Sequence, residues 1–139
     1  MRNRSPLRDD PAILRLIIVD DNERYRLAAR GLLEREGIDV VGVASSGDEA
    51  VHLAADTDAD VALVDIDLGP DSGFDVATRL VSAGRIRVVL ISAYDETEFG
   101  DLVAQSGATG FIAKSDLSAA MIAAVLDQSD GTGTAGVCR

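Results

Sequence analysis

The sequence predicts a three-layer α/β fold in which a doubly wound, five-stranded parallel sheet lies between two layers of helices. The first observation is a set of short apolar runs at residues 16–19, 40–43, 61–64, 88–91 and 111–113. Runs of this length and composition are typical of parallel strands buried on both faces. The second observation is that a helical spacing of apolar residues follows each run. Right-handed crossovers then place helices on both faces of the sheet.

Length and composition indicate a single domain. The chain has 139 residues, of which 47% are hydrophobic, enough for a core built from Val, Leu, Ile and Ala. The alternating pattern occupies residues 13–126. We expect residues 1–12 to form a flexible lead-in and residues 127–139, which are rich in Gly, Thr and Ser, to form a disordered tail.

The first three helices carry start or stop signals. The first is expected over about residues 23–36 and ends at Gly37. Ser46 and Glu49 form a capping-box pattern that opens the second helix, and Ser72 can cap the third. The apolar positions expected to face the core are Tyr25, Ala28, Ala29, Leu32 and Leu33 in the first helix and Phe74, Ala77, Leu80 and Val81 in the third.

The last two helices have weaker signals. The fourth, over about residues 96–106, contains Gly100, which costs about 1 kcal/mol relative to alanine inside a helix. We therefore expect it to be the least stable helix. The fifth is expected to start at Ser115 and to bury Leu117, Ala120, Met121, Ala124 and Val125.

Charge and cysteine content exclude several classes of function. The formal net charge is −11, whereas nucleic-acid binding needs a basic face and anionic membranes attract basic segments. No apolar run approaches the ~20 residues that span a bilayer. The single cysteine, Cys138, excludes an internal disulfide and fits a reducing cytosol. We therefore expect a soluble, cytoplasmic protein that binds neither nucleic acid nor membranes directly.

Four of the apolar runs end on residues that can handle a phosphoryl group. Asp20 and Asp21 follow the first run, Asp65 follows the third, Ser92 the fourth and Lys114 the fifth. Ligand sites of open α/β sheets lie outside the carboxyl ends of the strands. Lys114 is also the only lysine beside 12 arginines, which suggests a site that needs a compact point charge. These side chains are therefore expected to meet in one crevice.

Three carboxylates in one crevice require compensation. Two like charges ~4 Å apart repel by about 4 kcal/mol at an effective dielectric of about 20, so a carboxylate takes up a proton or a cation binds. Carboxylate and carbonyl oxygens suit Mg²⁺ or Mn²⁺. Asp21 and Asp65 are the preferred ligands, with Asp20 close by and the backbone carbonyl of Asp67 completing the set. Alternatively, Asp20 and Asp21 merely cap the first helix, which leaves Asp65 and Lys114 unexplained.

An aspartate can also act as the nucleophile in phosphoryl transfer and form an aspartyl phosphate. Because charge lies on the oxygens of the transferring group, the main requirements are positioning and electrostatic stabilisation. On this interpretation Asp65 is the acceptor, the metal binds one phosphoryl oxygen, Lys114 a second and the Ser92 hydroxyl a third. Ala93 is small and leaves room for a donor to approach in line.

Residues 13–126 resemble the response-regulator receiver domains of two-component signalling, which have the flavodoxin-like (βα)5 fold of chemotaxis-type receivers. The spacing carries the resemblance, with 45 positions from Asp20 to Asp65 and 22 from Ser92 to Lys114, as the family commonly has. Matched position by position, Asp20 and Asp21 are the acidic pair, Asp65 the phosphoacceptor, Ser92 the switch hydroxyl, Phe111 the switch aromatic and Lys114 the lysine of the family.

The resemblance implies transfer to Asp65 from a phosphohistidine on a sensor histidine kinase or a phosphotransfer protein. It implies a signalling phosphoacceptor that catalyses only its own phosphorylation and dephosphorylation. It also implies a population shift of the face formed by the fourth helix, fifth strand and fifth helix, for a downstream protein partner or a phosphorylation-linked homodimer. In the family, the residue matched by Ser92 moves toward the phosphoryl group and the aromatic matched by Phe111 follows.

The chain departs from the family pattern in two places. Receivers often have a proline four residues after the acceptor and then a glycine, whereas this chain has Gly69-Pro70. They often place a cis proline after the lysine, whereas Ser115 follows Lys114 here. A cis bond before a residue other than proline costs ~3 kcal/mol, so we expect a trans bond. Similar junctions occur in receivers attached to helix-turn-helix transcription regulators.

At the positions that, by the resemblance, border the entry path for attacking water, this chain has Asp67 and Tyr94, which are expected to tune phosphoryl lifetime. A degenerate receiver acting as a constitutive scaffold and a receiver excised from a DNA-binding transcription regulator remain alternatives. The segment 65–67 mimics the nucleophile motif of haloacid-dehalogenase-type phosphatases, but that resemblance would place it on the first strand rather than the third.

Overall fold

The computed structural model describes residues 13–84, 86–93 and 100–135, with side chains described through Gln128. Strands and helices alternate along the chain. In order they are β1 Arg15–Val19, α1 Glu23–Arg35, β2 Asp39–Ala44, α2 Gly47–Asp56, β3 Val61–Asp65, α3 Gly73–Ala83, β4 Arg87–Ser92, α4 Gly100–Ser106, β5 Gly110–Ala113 and α5 Ala119–Ala135. Residues 96–99, predicted to begin the fourth helix, and Tyr94 lie outside the described residues.

The five strands form one parallel sheet in the order β2-β1-β3-β4-β5. The predicted fold class is therefore confirmed. Because β1 lies between β2 and β3, the direction of strand progression reverses between β1 and β3. Connections leave β1 and β3 toward opposite faces of the sheet at such a point, and a crevice opens between them.

Apolar side chains alternate between two cores, one on each face of the sheet. Leu16 and Ile18 of β1 belong to one core, and Ile17 and Val19 belong to the other. This alternation follows from the two-residue period of a strand. Because helices cover both faces of the sheet, residues 16–19 of β1 are all buried. The helix residues of the first core are Ala29 and Leu33 of α1 and Ile122 and Leu126 of α5, and those of the second include Ala50 of α2, Val76 and Leu80 of α3 and Val103 of α4.

Serine caps begin two helices where the sequence predicts them. The Ser46 hydroxyl accepts a hydrogen bond from the Glu49 backbone N–H at 3.2 Å, and the Ser72 hydroxyl accepts one from the Phe74 N–H at 3.2 Å. The second half of the capping box differs. The Glu49 carboxylate accepts a hydrogen bond from the Ser45 N–H at 2.7 Å, one residue before the position that a full capping box uses.

The prediction that the fifth helix starts at Ser115 is wrong. A 3₁₀ turn occupies Lys114–Asp116, and α5 begins at Ala119. The Ser118 hydroxyl accepts a hydrogen bond from the Met121 N–H at 3.0 Å. This hydroxyl satisfies a free amide of the first turn, which explains the later start.

The predicted core faces of α1 and α5 also need correction. In α5, Ile122 and Leu126 are buried four residues apart, whereas the predicted Met121 is 38% exposed. Ala120 and Ala124 of α5 and Ala28 of α1 are likewise exposed rather than buried. Alanine gains little from burial, so it tolerates either face and is a weak guide to helix orientation.

Helix α5 continues to Ala135, so residues 127–135 are helical where the sequence predicts a disordered tail. Once a helix is established, each added residue contributes one backbone hydrogen bond. This gain opposes the cost of Gly131 and Gly133 inside the helix. The boundary of the domain at residue 126 stays a prediction.

Candidate functional site at the carboxyl edge of the sheet

Asp20, Asp21 and Asp65, here called the acidic cluster, lie where the strand order reverses. Asp20 and Asp21 follow β1, and Asp65 ends β3. Oxygen atoms of the three carboxylates all lie within 4.8 Å of one another. Asp20 is fully buried, Asp65 is 6% exposed and Asp21 is exposed. The cluster therefore has a closed inner side and an outer side that solvent reaches.

Backbone amides orient the two buried carboxylates. Asp20 Oδ1 accepts a hydrogen bond from the Asn22 N–H at 2.8 Å, and Asp65 Oδ1 accepts one from the Asp67 N–H at 3.2 Å. The N-cap of α1 is Asn22, whose side-chain oxygen accepts a hydrogen bond from the first turn at 3.0 Å. The alternative in which Asp20 and Asp21 merely cap the first helix is therefore wrong.

Lys114 connects the buried members of the acidic cluster. Its Nζ lies 2.7 Å from Asp20 Oδ2 and 3.3 Å from Asp65 Oδ2. The side chain comes from the end of β5, at the edge of the sheet, and is 20% exposed. The peptide bond to Ser115 is trans, as expected. The only lysine of the chain thus neutralises part of the charge that two aspartates bring to one place.

Burial and charge shift the pKa values of Asp65 and Lys114. Burial is the main reason that the pKa of Asp65 rises from 3.8 to about 6. The Asp67 N–H opposes that rise, the negative charge of Asp20 adds to it, and Lys114 opposes it. Burial also lowers the pKa of Lys114, but the carboxylates of Asp20 and Asp65 outweigh it, so the pKa lies above its ordinary value. The lysine is therefore charged while Asp65 carries an unfavourable charge at neutral pH.

The donor set of the acidic cluster fits a hard divalent cation. All three side chains offer carboxylate oxygens, which suit Mg²⁺ and Mn²⁺ better than softer metals. Asp21 faces solvent, so an ion at the outer side of the cluster would keep several waters, as Mg²⁺ prefers. Asp67 lies two residues after Asp65, and its backbone carbonyl stays a candidate ligand.

Ser92 and Ala93 lie at the end of β4, the strand next to β3, and Phe111 lies on β5, the edge strand beyond β4. Ser92 ends β4, is 1% exposed, and pairs in register with Ala113, the residue before Lys114. Ala93 follows it and is exposed. Phe111 of β5 is half-buried and packs against the core beneath α3 and α4. Tyr94, predicted to border the water path, lies outside the described residues.

Two contacts at this site do not follow from the sequence pattern. Tyr25 was predicted only as a core residue, yet its ring centroid lies 4.3 Å from Lys114 Nζ. Burial, followed by the charges of Asp20 and Asp65, raises the pKa of Tyr25 to about 12. Arg26 donates a hydrogen bond from Nη1 to the Asp20 backbone carbonyl at 2.6 Å. Their position in the first turn after Asp20 and Asp21 was the available signal.

The segment with the unusual Gly69-Pro70 order forms the tip of a short antiparallel ribbon of Asp67–Leu68 and Asp71–Ser72. Gly69 has φ +73°, which glycine adopts without strain. A Cβ atom at Gly69 would lie 3.2 Å from Asp21 Oδ2. The Asp71 carboxylate accepts a hydrogen bond from the Gly47 N–H at 3.0 Å and anchors the ribbon to α2. The order Gly-Pro therefore places a residue without a side chain against the outer carboxylate.

Gly69→Ala is expected to weaken Mg²⁺ binding by roughly 5-fold, equivalent to about 1 kcal/mol, because the added methyl displaces the Asp21 carboxylate. Isothermal titration calorimetry with Mg²⁺ measures this change. Gly107→Ala is the matched control, since Gly107 has φ +86° but a Cβ there meets only Val81, at 3.5 Å or more. Equal Mg²⁺ affinities of the two variants would contradict a role of Gly69 beside the acidic cluster.

Within the described residues, none of the helices combines the length and apolar character needed to cross a bilayer.

Comparison with known proteins gives a consistent result. A family model described as response regulator receiver domain matches residues 16–126. The response regulator GacA of Pseudomonas viridiflava is 31% identical over 115 residues, which is 81% of this chain and 54% of GacA. The chain thus spans about half the length of the curated relatives it matches.

Solved structures show the same similarity. The signal receiver domain of the response regulator NarL from Mycobacterium tuberculosis superposes with a TM-score of 0.74 at 33% identity, covering 86% of this chain and 98% of that domain. A response regulator from Burkholderia pseudomallei, solved with a phosphorylated aspartic acid, a calcium ion and citrate, gives a TM-score of 0.73 at 26% identity. It covers 90% of this chain and 74% of that protein.

Proposed function

Because this chain belongs to the response regulator receiver domain family, whose general function is phosphorylation by a sensor kinase, we propose that Asp65 is its phosphoacceptor. The observation that carries this proposal is the position of Lys114 Nζ, 2.7 Å from Asp20 and 3.3 Å from Asp65. An ammonium group between two buried carboxylates is placed to meet a phosphoryl group that becomes attached to one of them.

Three differences favour Asp65 over its two neighbours as the acceptor. Asp20 is fully buried and makes the shorter contact with Lys114, so its carboxylate is held tightly and out of reach of a donor. Asp21 is exposed, which suits a metal ligand that shares the ion with water. Asp65 ends the central strand at the edge of the crevice, and its longer contact with Lys114 leaves it the more available nucleophile.

In the proposed reaction, a carboxylate oxygen of Asp65 attacks the phosphorus of a phosphohistidine. The new O–P bond forms as the N–P bond breaks, and the imidazole nitrogen keeps the bonding electrons. Lys114 then pairs with a phosphoryl oxygen while it keeps its contact with Asp20. When bound by Asp20, Asp21, Asp65 and the Asp67 carbonyl, Mg²⁺ supplies positive charge toward the developing phosphoryl oxygens. Ala93, which is small and exposed, would leave room for the donor to approach Asp65 in line.

Ser92 and Phe111 are the proposed switch residues. They lie on adjacent strands, where Ser92 pairs in register with Ala113 and Leu90 pairs with Phe111. Phosphorylation would draw the Ser92 hydroxyl toward the phosphoryl group and let the half-buried Phe111 ring turn inward. This movement would change the face formed by α4, β5 and α5. Asp67 and Tyr94 are proposed to set the lifetime of the phosphoryl group.

The proposed partners are a sensor histidine kinase or phosphotransfer protein, a downstream protein and a second copy of the phosphorylated chain. We propose that these encounters occur in the cytoplasm. GacA and similar relatives are about twice as long as the matched region. We therefore also propose that this receiver controls a DNA-binding domain. The net charge of −11 does not favour nucleic-acid contact by this chain itself.

The proposal is tested by incubating the protein with acetyl phosphate and Mg²⁺ and measuring its intact mass. We expect the mass of one phosphoryl group to be added, and excess EDTA to prevent the gain. If neither acetyl phosphate nor a competent sensor kinase adds this mass, the scaffold alternative replaces the phosphoacceptor.

A further inference from the structure

Tyr25 presents its ring to the ammonium group of Lys114, the same group that is paired with Asp20 and Asp65. Its ring centroid is 4.3 Å from Lys114 Nζ, within the range at which a cation is attracted to the face of an aromatic ring. The side chain belongs to the first turn of α1, which Asn22 caps. Tyr25 is therefore attached to a fixed point of the fold and not to a loop.

The phenol hydroxyl does not account for this placement. Tyr25 Oη is buried and has no hydrogen-bond partner among the described residues. A buried hydroxyl without a partner opposes folding, and phenylalanine would avoid that cost. The favourable contacts of the side chain are those of its ring, with the first core and with the ammonium group.

Lys114 needs a constraint of this kind. Its four-carbon side chain has many rotamers, and 20% of it is exposed, so the ammonium could leave the crevice for water. The carboxylates of Asp20 and Asp65 attract the ammonium, and the ring covers part of it and so restricts the rotamers that it can adopt. Replacing water with an aromatic face around the ammonium also strengthens its interaction with the carboxylates.

We propose that Tyr25 is a positioning residue whose ring holds the Lys114 ammonium between Asp20 and Asp65 before the phosphoryl group arrives. The consequence for phosphorylation rests on the proposed function of Asp65, whereas the contact itself does not. The proposal assigns the role to the ring face and none to the hydroxyl. Tyr25→Phe and Tyr25→Leu therefore form a matched pair, in which both remove the hydroxyl and only the second removes the ring.

The first test does not depend on phosphorylation. Since Lys114 is the only lysine, labelling with ¹³C-lysine gives a single set of side-chain NMR signals. Protons above an aromatic ring are shielded, so we expect upfield-shifted Lys114 ε protons in the wild type and in Tyr25→Phe, and ordinary shifts in Tyr25→Leu. Ordinary shifts in the wild type, or unchanged shifts in folded Tyr25→Leu, would overturn the proposal.

The second test measures the rate of phosphorylation by acetyl phosphate at saturating Mg²⁺. Tyr25→Phe should react like the wild type, and Tyr25→Leu should react between about 2-fold and 30-fold more slowly, the range for a cation–π contact. Mg²⁺ affinity should be the same in both variants, because Tyr25 is not a ligand. Equal rates for the two variants would overturn the positioning role, whereas an unreactive wild type would overturn the function of Asp65 and leave the NMR result standing.

Discussion

Asp65→Asn is expected to abolish phosphorylation completely while making the metal-free protein more stable at neutral pH. The amide cannot act as the nucleophile, and neither Asp20, which is fully buried, nor Asp21, which has no contact with Lys114, takes over the role. The amide also removes one charge from the acidic cluster. Intact-mass measurement after acetyl phosphate treatment and urea unfolding in EDTA test the two parts separately.

The stability gain has a defined pH dependence. The pKa of Asp65 is about 6 in the folded protein and 3.8 as its ordinary value. Between these values the folded state binds more protons than the unfolded state, so the free energy of unfolding falls as pH rises from about 4 to 6. Above about pH 6 the loss from this group is complete, about 1 to 2 kcal/mol after allowance for solvent near the site. Asp65→Asn should remove this fall.

Asp75→Asn is the matched control for both measurements. It makes the same chemical change at an exposed position of α3. We expect it to be phosphorylated like the wild type and to keep the fall in stability between about pH 4 and 6. Residual phosphorylation of Asp65→Asn would place the acceptor elsewhere. A lower free energy of unfolding for Asp65→Asn than for the wild type in EDTA would show that the charge of Asp65 stabilises the folded protein.

The location of the acidic cluster could be predicted because it depends only on the order of strands and on their direction. Asp20, Asp65 and Lys114 each follow directly on an apolar run, and the carboxyl ends of parallel strands share one edge of the sheet. No side-chain geometry is needed to bring them to that edge. What the strand order does not give is the set of carboxylates that Lys114 contacts. In the structure its Nζ lies 2.7 Å from Asp20 and 3.3 Å from Asp65, so the two contacts are unequal.

The role of Tyr25 could not be predicted in the same way. An aromatic residue at helical spacing is favoured as core, and part of its ring does pack there. Its contact with Lys114 joins residues 89 positions apart and depends on the meeting of α1 with the end of β5.

A similar limit applies to α5, where adjacent residues such as Met121 and Ile122 differ by about 100° around the helix axis. The packing of β5 and α1 decides which of them is buried.

Lys114→Met is expected to have the largest effect on stability, a loss of about 3 kcal/mol in EDTA at pH 7, because it leaves the buried Asp20 carboxylate without its cation. Methionine keeps an unbranched apolar stem, so the change isolates the ammonium. Phosphorylation by acetyl phosphate should also fall strongly. Lys114→Arg should keep most of the stability but still impair phosphorylation-dependent switching, since a planar guanidinium does not replace a compact ammonium.

A double-mutant cycle with Asp20→Asn separates this electrostatic loss from a packing loss. In the Lys114→Met background, Asp20→Asn removes the uncompensated charge and should recover most of the lost free energy of unfolding, whereas in the wild type it removes a favourable ion pair. Saturating Mg²⁺ should recover stability of Lys114→Met by the same reasoning, because the cation replaces the missing positive charge. If urea unfolding shows that the two substitutions change the free energy of unfolding additively, the ion pair between Lys114 and Asp20 is not the source of the stability that Lys114 contributes. Strong coupling would mean that the buried aspartate and the single lysine stabilise the fold as one unit, on which the reactivity of Asp65 then depends.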